Sequence, residues 1–253
     1  KLAPALRYIK RKNPNCFTVY LMNPQTPLHH FDLVAMPKHD KPPKRPNVVP
    51  TIGPVHALTP EILAKAADQW RGRFAHLPQP RIAVLVGGDS KSAQFAPQDF
   101  HDIGEMASDM ARNLGDDAEH PAALMVTTSP RTSAKALDYL RLSLSVEHEL
   151  FVWQSRVENP YHAYLALADV IIVTGDSMSM CAEACALGKP VFIYLPRVGK
   201  ISPKLKRFHE ALFERNLARP LTAGVVPDWD AGAALDEAGR VANEIVRRTG
   251  TLI

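Results

Sequence analysis

The chain has 253 residues, of which 46% are hydrophobic, 7% aromatic and 22% charged. These proportions exclude a disordered tail, a collagen-like repeat and a coiled coil. The length supplies one large domain or two small ones, each able to bury its own core. Net charge is +4, but nine Lys/Arg against two Asp give the first 50 residues +7 and leave the remainder at −3. A basic N-terminal part points to an acidic ligand, a protein partner or an anionic membrane surface, with a solvated basic face as the plainer alternative. The interleaved aromatics of a nucleic-acid face are missing there, so no nucleic-acid partner is expected.

No apolar run approaches the roughly 20 residues that span a bilayer, and the longest, Ala163 to Val173, is interrupted by Asp169. No secretory leader is visible. The chain opens on Lys1 rather than methionine, and the expectation is that the natural start lies upstream. Cys16, Cys181 and Cys185 make no disulfide framework. Cys181 and Cys185, four apart among apolar neighbours, read as small buried thiols of a reducing cytosol, hence a cytoplasmic protein. No Cys or His stands at metal-ligand spacing around them, so no metal is expected.

In chain order, Leu2 to Lys12 has helical spacing with a basic outer face. Cys16 to Met22 and Asp32 to Met36 are short apolar runs stopped by proline, and Asn47 to Val49 is a brief third. Such runs suit buried parallel strands. Pro60 to Ala75 reads as a helix with Thr59 as N-cap and Glu61 in the first turn. Leu77-Pro78-Gln79-Pro80 is the linker, dividing residues 1–76 from 77–225, with 226–253 a C-terminal helix packing back toward the first part.

After the linker the pattern becomes regular. Strands at Arg81 to Val86, Ala122 to Thr127, Glu149 to Trp153, Asp169 to Thr174 and Pro190 to Leu195 alternate with helices at Pro97 to Leu114, Thr132 to Leu144, Tyr161 to Ala168 and Met178 to Leu187, the last closed by Gly188. Two further helices are read at Ser202 to Asn216 and Asp236 to Arg248. Five apolar strands alternating with helices make a parallel α/β sheet with right-handed crossovers.

In such a sheet ligands bind beyond the C-terminal strand ends. The polar loops Gly87 to Lys91, Thr128 to Thr132, Trp153 to Tyr161 and Gly175 to Ser179 all fall at that edge. Small residues let backbone amides approach an anion, a helix start adds favourable dipole, and Lys91 and Arg131 add charge. The matching ligand is a phosphate or diphosphate compound, although small polar residues also suit ordinary strand-to-helix turns. Glu183 stands among Met, Ala, Cys and Leu nearly two helical turns beyond Ser177. A carboxylate there needs a partner, either a ribose or a structural cation.

Standard motifs are absent. There is no GxGxxG after a strand, no GxxxxGK[ST] and no GxSxG. Tyr8 and Lys12 form a Tyr-x-x-x-Lys pattern, but it precedes the strands it should follow.

Phe31-Asp32-Leu33-Val34 with Pro37-Lys38-His39-Asp40, Val86 to Lys91, Thr128 to Thr132, Asn159-Pro160-Tyr161, and Val173 through Glu183-Ala184 to Gly188-Lys189-Pro190-Val191 together resemble the "elongated mitochondria" family of mitochondrial fission. The likeness runs from about residue 20 to 220. That family is similar in turn to GT-B glycosyltransferases, with two Rossmann-like domains facing a cleft. The resemblance implies nucleoside-diphosphate sugar as substrate, with no cofactor. It implies diphosphate contacts from Gly88, Asp89, Ser90, Lys91, Ser129, Arg131, Thr132, Ser177, Met178 and Ser179, ribose at Glu183, and the base beside Trp153 and Asn159. Inverting GT-B enzymes need no metal, because dipole and basic side chains stabilise the departing diphosphate. Their first domain carries the acceptor and base, for which His39 and Asp40 are the candidates. Family members begin with a further strand and glycine-rich loop, so the first domain is expected to be truncated here. Some bacterial members are labelled epimerases, which the missing dinucleotide fingerprint does not support. The plant members imply an alternative, a non-catalytic adaptor that recruits a dynamin-like partner to a membrane.

Overall fold

The computed structural model describes residues 2–115, 120–154, 158–227 and 234–250. The chain divides into two compact units, residues 1–57 with 236–253, and residues 58–235.

Unit 1 opens with helix α1 (Ala3–Lys12), followed by strands β1 (Val19–Leu21), β2 (Leu33–Pro37) and β3 (Val48–Thr51). The strands pair in parallel in the order β1-β2-β3, and every residue of β2 is buried. Val34 and Met36 pack with Ala3 and Phe31 on one face, and Leu33 and Ala35 pack on the other with Val241 and Ile245. That alternation is the period-2 signature of a strand covered on both faces. Asp32, just ahead of β2, accepts from the Thr18 amide and hydroxyl at 2.7 Å each and from Lys10 at 3.1 Å.

Unit 2 contains α2 (Pro60–Trp70), β4 (Arg81–Leu85), β5 (Ala93–Gln94), α3 (Pro97–Leu114), β6 (Ala123–Thr127), α4 (Ala134–Ser143), β7 (His148–Phe151), α5 (Tyr161–Leu167), β8 (Val170–Thr174), α6 (Met178–Cys185), β9 (Val191–Tyr194), β10 (Lys200–Ile201), α7 (Pro203–Phe213) and β11 (Arg219–Pro220). Among the described residues six strands form one parallel sheet in the order β11-β9-β8-β4-β6-β7. Counted among themselves this is 3-2-1-4-5-6, read from β7, so the order reverses between β4 and β8. Among the described residues β4, β6, β8 and β9 are wholly buried, which explains their unbroken apolar runs. The sixth strand, β11, is only two residues, too short for its sequence to show a strand pattern. β5 and β10 form a short antiparallel ribbon between the loops that follow β4 and β9.

The boundary falls at Ala57, ahead of the proline-rich segment expected to be the linker. The physical reason is aromatic. Trp70 stacks on Phe74 at 5.6 Å, Phe74 meets Tyr164 at 5.3 Å, and the Arg81 guanidinium donates to the Phe74 and Leu77 carbonyls. These contacts fasten α2 and the turn after it into unit 2. The last helix, α8 (Glu237–Thr249), belongs to unit 1, where Glu237 accepts from the Ile52 amide. No described helix is long and apolar enough to cross a membrane.

Candidate functional site

The loops after β4, β6 and β8 meet at the strand-order reversal of unit 2. Their organiser is Asp176, whose side chain is fully buried. It accepts from the Thr174 hydroxyl at 2.6 Å, the Gly88 amide at 3.2 Å and the Arg131 guanidinium at 2.5 Å. A Cβ on Gly87 would strike this carboxylate, and one on Gly88 would strike the Arg131 carbonyl. The two glycines are therefore required by close approach of their own neighbours. Because the Gly87 amide also donates to Thr174 at 2.7 Å, neither amide is left for a ligand. The sequence assigns no role to Asp176; its partners are the end of its own strand, Thr174, and two other loops, through Gly88 and Arg131.

Several expected diphosphate contacts instead build the loops. The Asp89 carboxylate accepts from the Phe95 amide, and the Ser90 hydroxyl accepts from the amides of Ser92 and Ala93. Thr132 donates to the Gly87 carbonyl at 2.6 Å and accepts from the Ser129 amide, while the Ser129 hydroxyl accepts from the Arg131 amide. Ser177 caps α6 by accepting from the Met180 amide. What remains open is a cleft of about 380 Å³ lined by Lys91, Arg131, Ser177, Met178 and Ser179 among others, with Asp176 at its base. Lys91 and Ser179 are exposed, and the amides of Met178 and Ser179 stand in the first turn of α6, where no helical carbonyl can take them. The Arg131 side chain is 40% exposed, so its outer nitrogens still reach the cleft.

Glu183 is half-buried on α6, and its Oε2 accepts from the Tyr161 hydroxyl at 2.6 Å. Oε1 makes no hydrogen bond among the described residues. Burial and the adjacent Glu183 charge push the Tyr161 phenol far above its ordinary value, so Tyr161 is a fixed donor. Tyr161 is the second residue the sequence reading missed. The Asn159 side-chain oxygen accepts from the Tyr161 amide and shapes the entry to α5, and Trp153 is 37% exposed with its backbone amide donating to the Thr128 hydroxyl. Residues 155–157 of that loop lie outside the described residues.

His39 and Asp40 lie in unit 1. The His39 side chain is 1% exposed, with Nε2 3.9 Å from an Asp40 carboxylate oxygen. Cys16 is exposed, whereas Cys181 and Cys185 are buried and their thiols pushed up, Cys185 to about 12. His101, Asp102 and Glu105 on α3 bring ligand atoms within 4.8 Å, but Asp102 is paired to Arg197 and His101 faces Glu105.

The family model for mitochondrial fission ELM1 matches residues 1–249. The chain belongs to that family. It is 29% identical over 82% of its length to the mitochondrial fission protein ELM1 of Arabidopsis thaliana, and covers 52% of that protein, so it spans about half the length of this relative. It is 26% identical over 95% of its length to an uncharacterized protein of Rickettsia prowazekii, covering 75% of it. Among solved structures, UGT71G1 of Medicago truncatula complexed with UDP-glucose overlaps 83% of this chain and 47% of its own, at 13% identity and a TM-score of 0.38.

Proposed function

We propose that unit 2 binds a nucleoside-diphosphate sugar and that the protein transfers the sugar without a metal, in the manner of GT-B enzymes. The diphosphate lies over the first turn of α6, held by the Met178 and Ser179 amides, Ser179, Lys91 and the outer edge of Arg131. The ribose hydroxyls donate to Glu183 Oε1, and the base rests near Trp153 and Asn159. The observation that carries this reading is the open Oε1 of a half-buried carboxylate whose other oxygen is already satisfied by Tyr161. It stands on the same helix whose N-terminal turn faces the cationic cleft.

Calorimetric titration of uridine, guanosine and cytidine diphosphates into the full chain tests it. One of them binds, and Glu183→Gln weakens that binding about tenfold or more, the loss of hydrogen bonds to a charged acceptor. No binding of any diphosphate, or equal affinity in the variant, ends the reading. Burial of His39 favours a second reading, an adaptor that holds the nucleotide without transfer. Nucleotide binding without turnover of any sugar nucleotide, unaffected by His39→Ala and Asp40→Ala, selects the adaptor.

A further inference from the structure

Unit 1 carries a basic groove that the nucleotide-sugar reading does not use. It encloses about 620 Å³ between α1 and the turn at Leu28–His30. Pro4, Arg7, Tyr8 and Arg11 recur at three- and four-residue spacing, so one face of α1 forms its wall. Among the described residues Arg7 donates only to the Thr26 hydroxyl at 3.3 Å, and Arg11 lies over the Tyr8 ring at 5.6 Å. Neither guanidinium meets a carboxylate among the described residues. The Asp32 carboxylate, which also lines the groove, is occupied by Lys10 at 2.9 Å and by Thr18. The opposite wall is His29 and His30, with rings 4.1 Å apart.

Two guanidiniums and two imidazoles thus share one groove whose acid among the described residues, Asp32, is already spent. Clustering like charge is unfavourable unless an anion compensates it. The local field is visible in His30, which is held below its ordinary value by its packing and then by Arg7 and His29. Guanidiniums one helical turn apart match the oxygens of a phosphate. Imidazoles, unlike lysines, gain a proton as the anion arrives.

We propose that this groove is a binding site for a phosphomonoester, gripped by Arg7 and Arg11 and hydrogen-bonded by His29 and His30. The ester belongs to a soluble metabolite or to a lipid headgroup, and the experiment separates these sources. The full chain, with labelled histidines, is titrated with glycerol 3-phosphate and with inorganic phosphate while the imidazole resonances are followed by NMR. In parallel it is sedimented with phosphatidylcholine vesicles with and without phosphatidic acid. The soluble ester raises the pKa of His30 by about one unit or more and moves the His29 resonances with it. Arg7→Gln and Arg11→Gln each weaken binding about tenfold or more. Arg131→Gln, in unit 2, leaves it intact. Sedimentation only with phosphatidic acid, lost in the same two variants, assigns the site to a headgroup. Absence of binding in both arms overturns the proposal. So does binding indifferent to Arg7 and Arg11, or binding lost in Arg131→Gln instead, which moves the phosphate to the unit-2 cleft. Neither result bears on Glu183 and the nucleotide titration.

Discussion

His209 gives the protein an acid-sensitive core. It lies on α7, 1% exposed, stacked on Phe213 and tilted against Phe208, with Cε1 against Gly175 at the end of β8. Burial pushes its pKa from 6.5 down to about 4, and the nearby Gly175 backbone offsets this only in part. Neither ring nitrogen has a hydrogen-bond partner of normal geometry among the described residues. The folded imidazole is therefore neutral and resists protonation. The unfolded chain binds the proton at its ordinary value, so stability falls as pH drops below about 6.5 and levels off below about 4. Integrating between those two values gives a loss of about 2 kcal/mol at pH 5 and about 3 kcal/mol at pH 4, relative to pH 7. Urea unfolding of the wild type and His209→Gln at pH 7, 6 and 5 measures this, because carboxylate effects are common to both proteins. The stability difference between them shifts by about 2 kcal/mol in favour of the variant over that range. Parallel curves, or an NMR titration placing the His209 imidazole at 6 or above, would show that the ring is solvated and the packing argument wrong.

Three other perturbations follow from the same physical accounting. Asp176→Ala strands the Gly88 amide, the Thr174 hydroxyl and Arg131, and costs about 3 kcal/mol, the low end for a broken buried pair because Arg131 is partly exposed. Scanning calorimetry then shows a Tm lower by roughly 6–12 °C, and a drop under about 2 °C refutes the role given to that carboxylate. Lys91→Gln leaves the Tm unchanged, since the ammonium is exposed and makes no hydrogen bond or ion pair among the described residues, but weakens diphosphate binding about tenfold at low salt and less at high salt. Burial acts to raise the Asp32 carboxyl, yet hydrogen bonds from Thr18 and Lys10 hold it below its ordinary value. Its contribution is present above about pH 4 and is lost as pH falls through the lowered value, so the acid limb of an Asp32→Asn unfolding profile is flatter than that of the wild type.

What was legible in the sequence is what is local. The unbroken apolar runs of β4, β6, β8 and β9 announce themselves because both faces are covered, and each stops at a small or polar residue where the chain must turn. Thr59 caps α2 by accepting from the Ile62 amide, a signal only three residues long. Glu183 stood out because a carboxylate among small apolar neighbours needs a partner. That the partner is Tyr161, 22 positions away, has no local trace. The two compact units divide at Ala57 rather than at the proline-rich segment for the same reason. Prolines are visible in the chain, whereas the Phe74–Tyr164 contact joins residues 90 positions apart only after folding. β11, at two residues including Pro220, is an edge strand too short to carry a pattern.

The least legible feature is also the one that most changes the chemistry. A Gly-Gly-Asp-Ser-Lys loop after a strand invites the expectation that its amides cradle an anion. In the folded protein an anion is already there: the carboxylate of Asp176 takes the Gly88 amide, the Thr174 hydroxyl and one edge of Arg131. Any diphosphate must therefore sit one step outward, against the first turn of α6 and beside Lys91. There the helix dipole and one uncompensated ammonium supply the field, and Arg131 contributes a charge half-cancelled from behind. Such an arrangement fixes the geometry of the rim in the absence of ligand, because its loops are closed on an internal acid. It also limits how much negative charge the cleft can hold, since Asp176 repels from beneath what Lys91 attracts from the side.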